Sequence, residues 1–427
     1  MELQDVKLAS IKWQDTDSKI DLMSDFDLYP EIQLIIDSVD KTEYDTSIGV
    51  SRLFSDSYDV SRCSCDIRVK TTLHNSCGQI SFTMLHPDCQ SLFKEGDRVR
   101  LYLNKKCRFC GFIFTRSFKQ KGEMFVVAFD YLRYFKTPLS YDKSMMMSED
   151  GTKGLTVSEI FTKLCQDLKL PFDVYTNSNV VVPSQRYDMK SAFNIMEFAI
   201  NQTIINSPEQ RKQYFTYFHE SNLDDEEELK KTGGVVQLQL RNNLTTNVPI
   251  TDSDLITDYS YKTTIDSQTF NRIILYKDEK TYLSKTGKSL KHGKKTGTRI
   301  VRIAPSTPEE IQKTSEGLYG YLPYYHKCPD SYTEAQMDKV AKDLLAILDR
   351  KTSSLTLSCY GVIGMRAGYL VPIAIKQIGG TSIGTWDDEN STLIPIYRTV
   401  KECELIVEHP LKMNLVVSCG EQGEYDL

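Results

Sequence analysis

Residues 109–136 read FCGFIFTRSFKQKGEMFVVAFDYLRYFK. Two runs rich in aromatic and β-branched residues flank the polar segment FKQKGE at 118–123, which has the composition of a turn. This pattern predicts an antiparallel hairpin. Similar short runs, separated by turn-forming residues, fill the sequence from 31 to 136 without a helical pattern between them. The first part of the chain is therefore expected to be a β-sandwich or barrel of antiparallel strands.

A Cys-x-x-Cys pair, Cys107 and Cys110, lies at the start of this hairpin and just before it. Such a pair has three interpretations: a zinc knuckle, a redox pair, or two structural cysteines. In an extended strand, side chains three residues apart point to opposite faces, so the two thiols could not bind one ion without a turn between them. A thioredoxin-like pair should open a helix instead. We therefore predict structural cysteines, with no metal and no cofactor.

Other possible catalytic motifs are also better explained by structure. Residues 380–384 match the G-x-S-x-G nucleophile elbow. That elbow needs a helix after the serine, whereas the sequence that follows predicts a strand. The six histidines lack ligand spacing; they are His74, His86, His219, His292, His326 and His409. The sequence thus predicts no catalytic, cofactor-binding or metal-binding residue.

A helical pattern begins only after the first β region. Thr156 and Glu159 form a capping box in front of an amphipathic helix. A second helix is predicted at 190–205, followed by two strands that flank an acidic segment at 222–234. We expect residues 149–245 to form a small α/β domain inserted after the first β domain.

The β pattern returns in the last part of the chain. Residues 1–148 are expected to form a first β-barrel domain, and 246–427 a second one containing one helix at about 333–350. The two β regions share local features: Gly96 and Gly368 each precede an apolar strand, and each is followed by a long hairpin that ends in a double valine. These features indicate an internal duplication.

Charge and hydropathy exclude some classes of protein. The net charge of −6 argues against specific nucleic-acid binding, which needs a basic face. The first residues lack the pattern of a secretory signal. No apolar run approaches the roughly 18 residues of a membrane helix, so stable membrane anchoring is not expected.

Two segments are candidates for contact with partners. Residues 277–299 carry eight Lys or Arg against two acidic residues, in a composition typical of a long flexible loop that could bind an acidic neighbour. Residues 318–326 hold four tyrosines, which are enriched at interfaces but could equally pack across a barrel mouth. The contact residues predicted from these segments are Lys285, Lys288, Lys291, Lys294, Lys295, Tyr319, Tyr321 and Tyr324.

The hairpin at 109–136 resembles the signature of the XkdQ/YqbQ-type tail proteins of Gram-positive prophages. That signature has F-x-G, then a hairpin, then V-x-A-x-D-x-x-R-Y-L-K. The matching residues here are Phe109, Gly111, Val127, Phe129, Asp130, Arg133, Tyr134 and Lys136. Four later motifs follow in the family's order; they lie at 156–170, 259–276, 317–326 and 341–368.

The resemblance implies a mainly β protein with two tube-like antiparallel barrels and a small α/β domain between them. It implies a structural, non-enzymatic hub in the baseplate of a contractile phage tail or of a tail-like bacteriocin. Such a hub would be similar to the barrels at the base of type VI secretion spikes. Three copies would form a pseudo-six-fold ring that joins the tail tube to the central spike.

The partners implied are two other copies of the chain, the tail tube protein, the central spike protein and baseplate wedge proteins, with the tape measure protein as a further candidate. The place implied is the baseplate of a particle assembled in the bacterial host cytoplasm. Two alternatives remain open: a tail-associated cell-wall hydrolase, and a module that binds the host surface.

Overall fold

The computed structural model describes residues 20–418 with gaps. The gaps are 23–25, 46–48, 74–75, 86–91, 120–121, 149–150, 152, 179, 207–213, 220–232, 253–254, 267–268, 283–294, 329–331, 379–380 and 388–391. The acidic segment at 222–234 and the centre of the basic segment at 277–299 thus lie mostly outside the described residues.

Strands are the main elements. In chain order they are β1 (Ile32–Asp45), β2 (Gly49–Asp59), β3 (Ser64–Thr72), β4 (Gln79–Met84), β5 (Arg98–Leu103), β6 (Lys106–Phe118), β7 (Met124–Phe129), β8 (Pro138–Tyr141), β9 (Phe172–Val174), β10 (Tyr187–Ser191), β11 (Tyr214–His219), β12 (Val235–Leu240), β13 (Ile250–Thr251), β14 (Ile256–Thr264), β15 (Arg272–Tyr282), β16 (Lys295–Ala304), β17 (Pro323–Lys327), β18 (Thr352–Tyr360), β19 (Leu370–Ile378), β20 (Thr381–Ile383), β21 (Thr385–Asp387), β22 (Thr392–Ile394), β23 (Ile396–Val407) and β24 (Lys412–Ser418).

Helices are fewer. They are α1 (Val157–Asp167), α2 (Ala192–Asn206), α3 (Pro308–Ile311), α4 (Glu316–Tyr319) and α5 (Glu334–Leu348), with 3₁₀ turns at Ser61–Cys63, Tyr131–Lys136, Lys143–Met146 and Arg241–Leu244.

One sheet of 14 strands dominates the molecule. Its main path runs β14-β18-β24-β23-β3-β4-β7-β6-β5-β1-β2, and β19 joins β23 and carries β13 and β20. Every neighbour pair along the main path is antiparallel. The expectation of a mainly β protein with antiparallel pairing is confirmed.

The strand order repeats within this sheet. The first β region has the order β3-β4-β7-β6-β5, and the second has β14-β18-β24-β23-β19. Each long hairpin also carries a β-bulge at the same place, between Ile113 and Thr115 in the first region and between Val400 and Glu402 in the second. A bulge is a specific backbone feature, so its recurrence supports duplication more strongly than the strand order alone.

Gly96 and Gly368 occupy equivalent positions in the two β regions, with matching backbone angles and hydrogen bonds. Gly96 has φ +95° and Gly368 has φ +93°, values that favour glycine. The N–H of Gly96 donates to the carbonyl of Ile113 at 2.8 Å, and the N–H of Gly368 donates to the carbonyl of Val400 at 2.8 Å. Each acceptor residue donates its own N–H to the residue after the glycine, at 2.9 Å in both cases.

The α/β region between the two β regions has its own core. The capping box is present: the N–H of Thr156 donates to Glu159 Oε2 at 2.7 Å, and the N–H of Glu159 donates to Thr156 Oγ1 at 3.3 Å. The apolar faces of α1 and α2 are buried together, with Phe161, Leu164 and Met196 almost fully inaccessible. A three-stranded sheet, β11-β12-β9, completes the layer.

A second small lobe lies inside the later β region. Strands β16-β15-β17 form a sheet separate from the large one, and Met337, Val340 and Leu344 of α5 pack on it. The prediction of a loop over 277–299 is wrong at both ends, because β15 continues to Tyr282 and β16 begins at Lys295. Ile273 and Leu275 are inaccessible and Lys277 is only 8% exposed, so the buried face of β15 extends into the charged segment.

Candidate functional site

The joint between the two β regions is the feature that organises the molecule. Strand β23 of the second region pairs antiparallel with β3 of the first, so that Leu405 lies opposite Val69. Both side chains are buried, with exposed fractions of 4% and 8%. On the other face, Lys70 Nζ lies 3.0 Å from Glu402 Oε2. Continuous backbone pairing with a buried apolar face makes the two regions one mechanical unit.

The Arg-Ala-Gly turn at 366–368 brings the α/β region into the same joint. The guanidinium of Arg366 lies over the ring of Tyr217 in β11, 5.4 Å from its centroid. The N–H of Ala367 donates to Thr71 Oγ1 of β3 at 2.9 Å. One turn thus contacts both the first β region and the α/β region.

A cavity of about 80 Å³ lies at this three-part joint. Its lining comes from all three parts and includes Thr71, Arg108, Asp130, His219 and Arg366. Ligand pockets are typically about 300 Å³ or more, whereas a polar cavity of this size holds only a few waters. The cavity is therefore better suited to hydrating a joint than to binding a substrate.

Asp130, the acidic residue of the hairpin signature, anchors the end of the hairpin. Its side chain is 2% exposed; Oδ2 accepts from the N–H of Gly78 at 2.7 Å, and Oδ1 accepts from the N–H of Leu132 at 2.9 Å. The second bond caps the 3₁₀ turn at Tyr131–Lys136. The backbone N–H of Asp130 donates to the carbonyl of Gly78 at 3.0 Å. This signature residue therefore has a structural role.

The other polar signature residues serve the same end of the hairpin. The guanidinium of Arg133 lies over the rings of Phe114 and Phe129, at 5.3 and 5.9 Å from their centroids. The ring of Tyr134 packs against the ring of Phe114, with 6.0 Å between the ring centroids. Cation–π and aromatic contacts of this kind fix the turn on the hairpin.

Replacing Asp130 with alanine is expected to destabilise the fold by about 2–4 kcal/mol, because a cap is lost and the buried N–H of Gly78 is left without its acceptor. Chemical denaturation would measure the change. Asp142→Ala is the matched control, because Asp142 also precedes a 3₁₀ turn but makes no capping bond. Equal effects for both variants would contradict the anchoring role.

The side chains of Cys107 and Cys110 do not lie where strand alternation predicts. They were expected on opposite faces of the strand, but both side chains belong to the core under the α/β region, while Phe109 belongs to the core of the large sheet. The reason is a β-bulge: Leu101 pairs with Phe109 and Tyr102 with Cys107, which leaves one extra residue on β6. The extra residue reverses the alternation.

Both cysteines of this pair are buried, and no disulfide joins them. Within the described ranges, no group of three or more His, Cys, Asp or Glu side chains is placed to hold a metal ion. Cys110 packs closely against Gly233, where an added Cβ would lie 2.4 Å from its Sγ. The pair thus packs in a core.

The G-x-S-x-G motif has the predicted context. Ser382 lies in β20, and Gly384, at φ +121°, leads directly into β21. A strand rather than a helix follows the serine, as the sequence indicated. This backbone is not that of a nucleophile elbow.

The predicted contact lysines are mostly beyond the described residues. Lys285, Lys288, Lys291 and Lys294 fall in the gap at 283–294, and for Lys295 only the backbone pairing with Tyr282 is described. Lys277, at the start of the basic segment, is buried and donates from Nζ to the carbonyl of Tyr332 at 2.6 Å. The role of the lysines as partner contacts stays a prediction.

The three predicted tyrosines have different surroundings. Tyr319 is half-buried in α4, and Tyr321 is 54% exposed under the guanidinium of Arg272. Tyr324 turns inward, stacking on His326 at 6.1 Å and packing on Phe270 at 5.1 Å. Burial lowers the pKa of His326.

Sequence reasoning missed more exposed neighbours of these tyrosines, namely Tyr325 at 63% and Leu318 at 81%. The period-two alternation of PYYHK in β17 is the signal that separates Tyr325 from Tyr324.

A buried cluster of charges was also missed. Asp37 lies in β1, fully buried, and accepts from Arg98 Nε at 2.7 Å and from Arg100 Nη2 at 2.5 Å. Arg100 Nη1 also donates to the hydroxyl of Tyr102 at 2.8 Å, and Ser57 Oγ donates to Asp37 at 2.6 Å. Burial alone would raise the pKa of Asp37, but the hydrogen bond from Arg100 and the two guanidinium charges outweigh it and lower that pKa.

No helix in the described part of the chain is long and apolar enough to cross a membrane.

Comparison with solved structures shows that the fold is shared with two tail proteins, one of them from a prophage. The 43 kDa tail protein of prophage MuSo2 from Shewanella oneidensis has a TM-score of 0.51 at 9% identity, over 92% of this chain and 100% of that one. The tail protein from Neisseria meningitidis MC58 has a TM-score of 0.50 at 12% identity, over 92% of this chain and 98% of that one. Among the curated proteins, none matches this sequence.

The sequence was also compared with models of protein families. The model described as YQBQ-like matches residues 67–386, which is more than half of the chain and contains the hairpin, the α/β region and the Arg-Ala-Gly turn. The chain therefore belongs to the YQBQ-like family.

Proposed function

We propose that the protein is the structural hub of a contractile tail baseplate, in a phage or in a tail-like bacteriocin. The observation that carries this proposal is the duplication: one chain holds two β regions with the same strand order, the same bulge and the same glycine hydrogen bonds. Three such chains present six equivalent units, and a ring of this kind matches a six-fold tube on one side and a three-fold spike on the other.

Each β region then acts as one tube-type barrel unit. The division of the chain that fits this role is a first barrel domain at 1–148, an α/β domain at 149–245 and a second barrel domain at 246–427. The tail tube would sit on one face of the ring and the central spike on the other, with wedge proteins around the rim. The fold shared with the two tail proteins supports this assignment.

The proposed role is mechanical and not enzymatic. The joint between the β regions is built of backbone pairing, a buried apolar face and the Arg-Ala-Gly turn, and its cavity of about 80 Å³ is small for a substrate. A part that transmits force during sheath contraction needs such a continuous sheet.

The experiment is the mass and shape of the purified chain in solution. Light scattering and negative-stain imaging are expected to give a ring with three times the mass of the chain at high protein concentration. Incubation with cell-wall fragments is expected to release no product. A chain that stays single at every concentration and degrades cell wall would instead support the hydrolase alternative.

A further inference from the structure

Among the described residues, two strand edges in the large sheet stop short of a neighbour. Strand β14 ends the strand order, and Tyr261 on it is 36% exposed. The pairing of β6 with β5 ends at Phe112, although β6 continues to Phe118, which is 51% exposed. Exposed edges of this kind are templates for pairing with another chain.

The duplication identifies what the edge of β6 corresponds to. Counting from the shared bulge, Thr115 is equivalent to Glu402, so Phe118 is equivalent to Leu405. Strand β23 likewise leaves β19 after Thr399, and its later part pairs with β3 instead. The protruding end of β6 is thus the counterpart of the strand that forms the joint inside the chain.

The edge of β14 corresponds to the other half of that joint. In the first region, Val69 pairs with Ile80 of β4, which pairs with Ala128 of β7. In the second region, Tyr261 pairs with Leu355 of β18, which pairs with Val417 of β24. Val417 is the equivalent of Ala128, because each pairs with the residue just before the shared bulge. Tyr261 is therefore equivalent to Val69.

The exposed aromatic residues occupy the positions that are buried in the joint inside the chain. Leu405 and Val69 lie opposite each other there and are almost inaccessible, whereas Phe118 and Tyr261 are exposed. Facing aromatic residues across antiparallel strands stabilise pairing.

We propose that β14 of one copy pairs antiparallel with residues 115–118 of β6 in a second copy, with Tyr261 opposite Phe118. This contact repeats the β23–β3 joint between chains. It rests on the ring proposed above and names the surface that closes it.

The occupant of this edge is a second copy of the same chain because the two edges lie far apart in one sheet. Seven positions of the strand order separate β14 from β6. Each copy therefore offers one edge and accepts another, which makes the contact head-to-tail, and a head-to-tail contact closes into a ring when its rotation permits.

Directed disulfide formation tests the contact. The single variants Phe118→Cys and Tyr261→Cys are purified separately, mixed at high concentration and oxidised. We expect a disulfide-linked pair containing one chain of each variant, visible on a non-reducing gel and absent when either variant or the wild type is oxidised alone.

Two controls make the test specific. Lys262→Cys, next to Tyr261 but on the opposite face of β14, is expected to give no link with Phe118→Cys. Tyr261→Glu is expected to lose the ring peak in light scattering, because a charge would be buried at the joint, while Tyr175→Glu, at a residue 63% exposed in the α/β region, keeps it.

The outcomes separate the two proposals. A ring that forms in both the wild type and Tyr261→Glu, with no Phe118–Tyr261 link, would refute this joint and leave the hub standing. A wild-type chain that never associates would overturn the ring and the joint together.

Discussion

Replacing Gly111 with alanine is expected to remove most of the folded, soluble protein. An added Cβ would lie 2.4 Å from the carbonyl oxygen of Phe129 and 2.8 Å from the ring of Phe109. Both neighbours are fixed: the carbonyl belongs to β7, and Phe109 is buried in the core of the large sheet. Overpacking a core costs about 1–3 kcal/mol and occasionally more, and a clash with backbone that cannot repack is expected at the upper end of that range.

The measurement for Gly111→Ala is the soluble yield together with the urea midpoint of any folded fraction. Gly317→Ala is the control, because an added Cβ there has no atom within 4 Å. That exposed helical glycine is expected to change stability by about 1 kcal/mol or less. A Gly111→Ala protein with the wild-type midpoint would show that β6 and β7 can separate locally without cost.

This glycine shows how well a sequence signature can locate the fold. The F-x-G pattern identified Phe109 and Gly111 as the informative residues of the hairpin, and the structure gives the reason, since the glycine lets β7 and the aromatic ring approach each other. Helices were predicted for a similar reason: capping at Thr156 and apolar periodicity in α5 are local signals, and local signals can be read from the sequence.

The cysteine pair shows where local reasoning fails. Strict alternation placed Cys107 and Cys110 on opposite faces, and one bulge at Arg108 was enough to place them in the same core. The bulge is a property of how β6 pairs with β5, and the sequence of β6 alone does not contain that register.

The joint between the β regions was beyond the sequence for a related reason. Strand β3 pairs with β23, more than 300 residues later in the chain. The sequence around Gly96 and Gly368 indicated the duplication. It did not indicate that a strand of the second β region pairs with a strand of the first. Only the strand order reveals which edges are paired within the chain and which have no neighbour among the described strands.

The missed charge cluster did leave a signal in the sequence. Asp37 interrupts an apolar run in β1, and Arg98 and Arg100 alternate with apolar residues in β5. Charges at alternating positions of an otherwise apolar strand indicate either solvent or a buried partner. The pairing of β1 with β5 places Asp37 opposite Arg98, so these charges face a buried partner and not solvent.

Replacing Asp37 with asparagine is expected to destabilise the protein by about 3–5 kcal/mol, because two buried guanidinium groups would lose their shared counter-charge. The side chains of Asp37, Arg98 and Arg100 are 1%, 3% and 12% exposed. Asp188→Asn is the control: its partner Arg186 is 2.8 Å away, but both side chains are about two-thirds exposed, and such pairs contribute about 0–1 kcal/mol.

The pH dependence provides a second measurement for the same residue. The folded protein holds the pKa of Asp37 below its usual value, so its stabilising effect is complete above the unfolded pKa of about 3.9 and is lost as the pH falls through the lower folded pKa. Acid titration of the unfolding free energy should therefore be less steep below about pH 4 in Asp37→Asn than in the wild type. Parallel titration curves for the two proteins would show that the carboxylate is not the group that holds this cluster together.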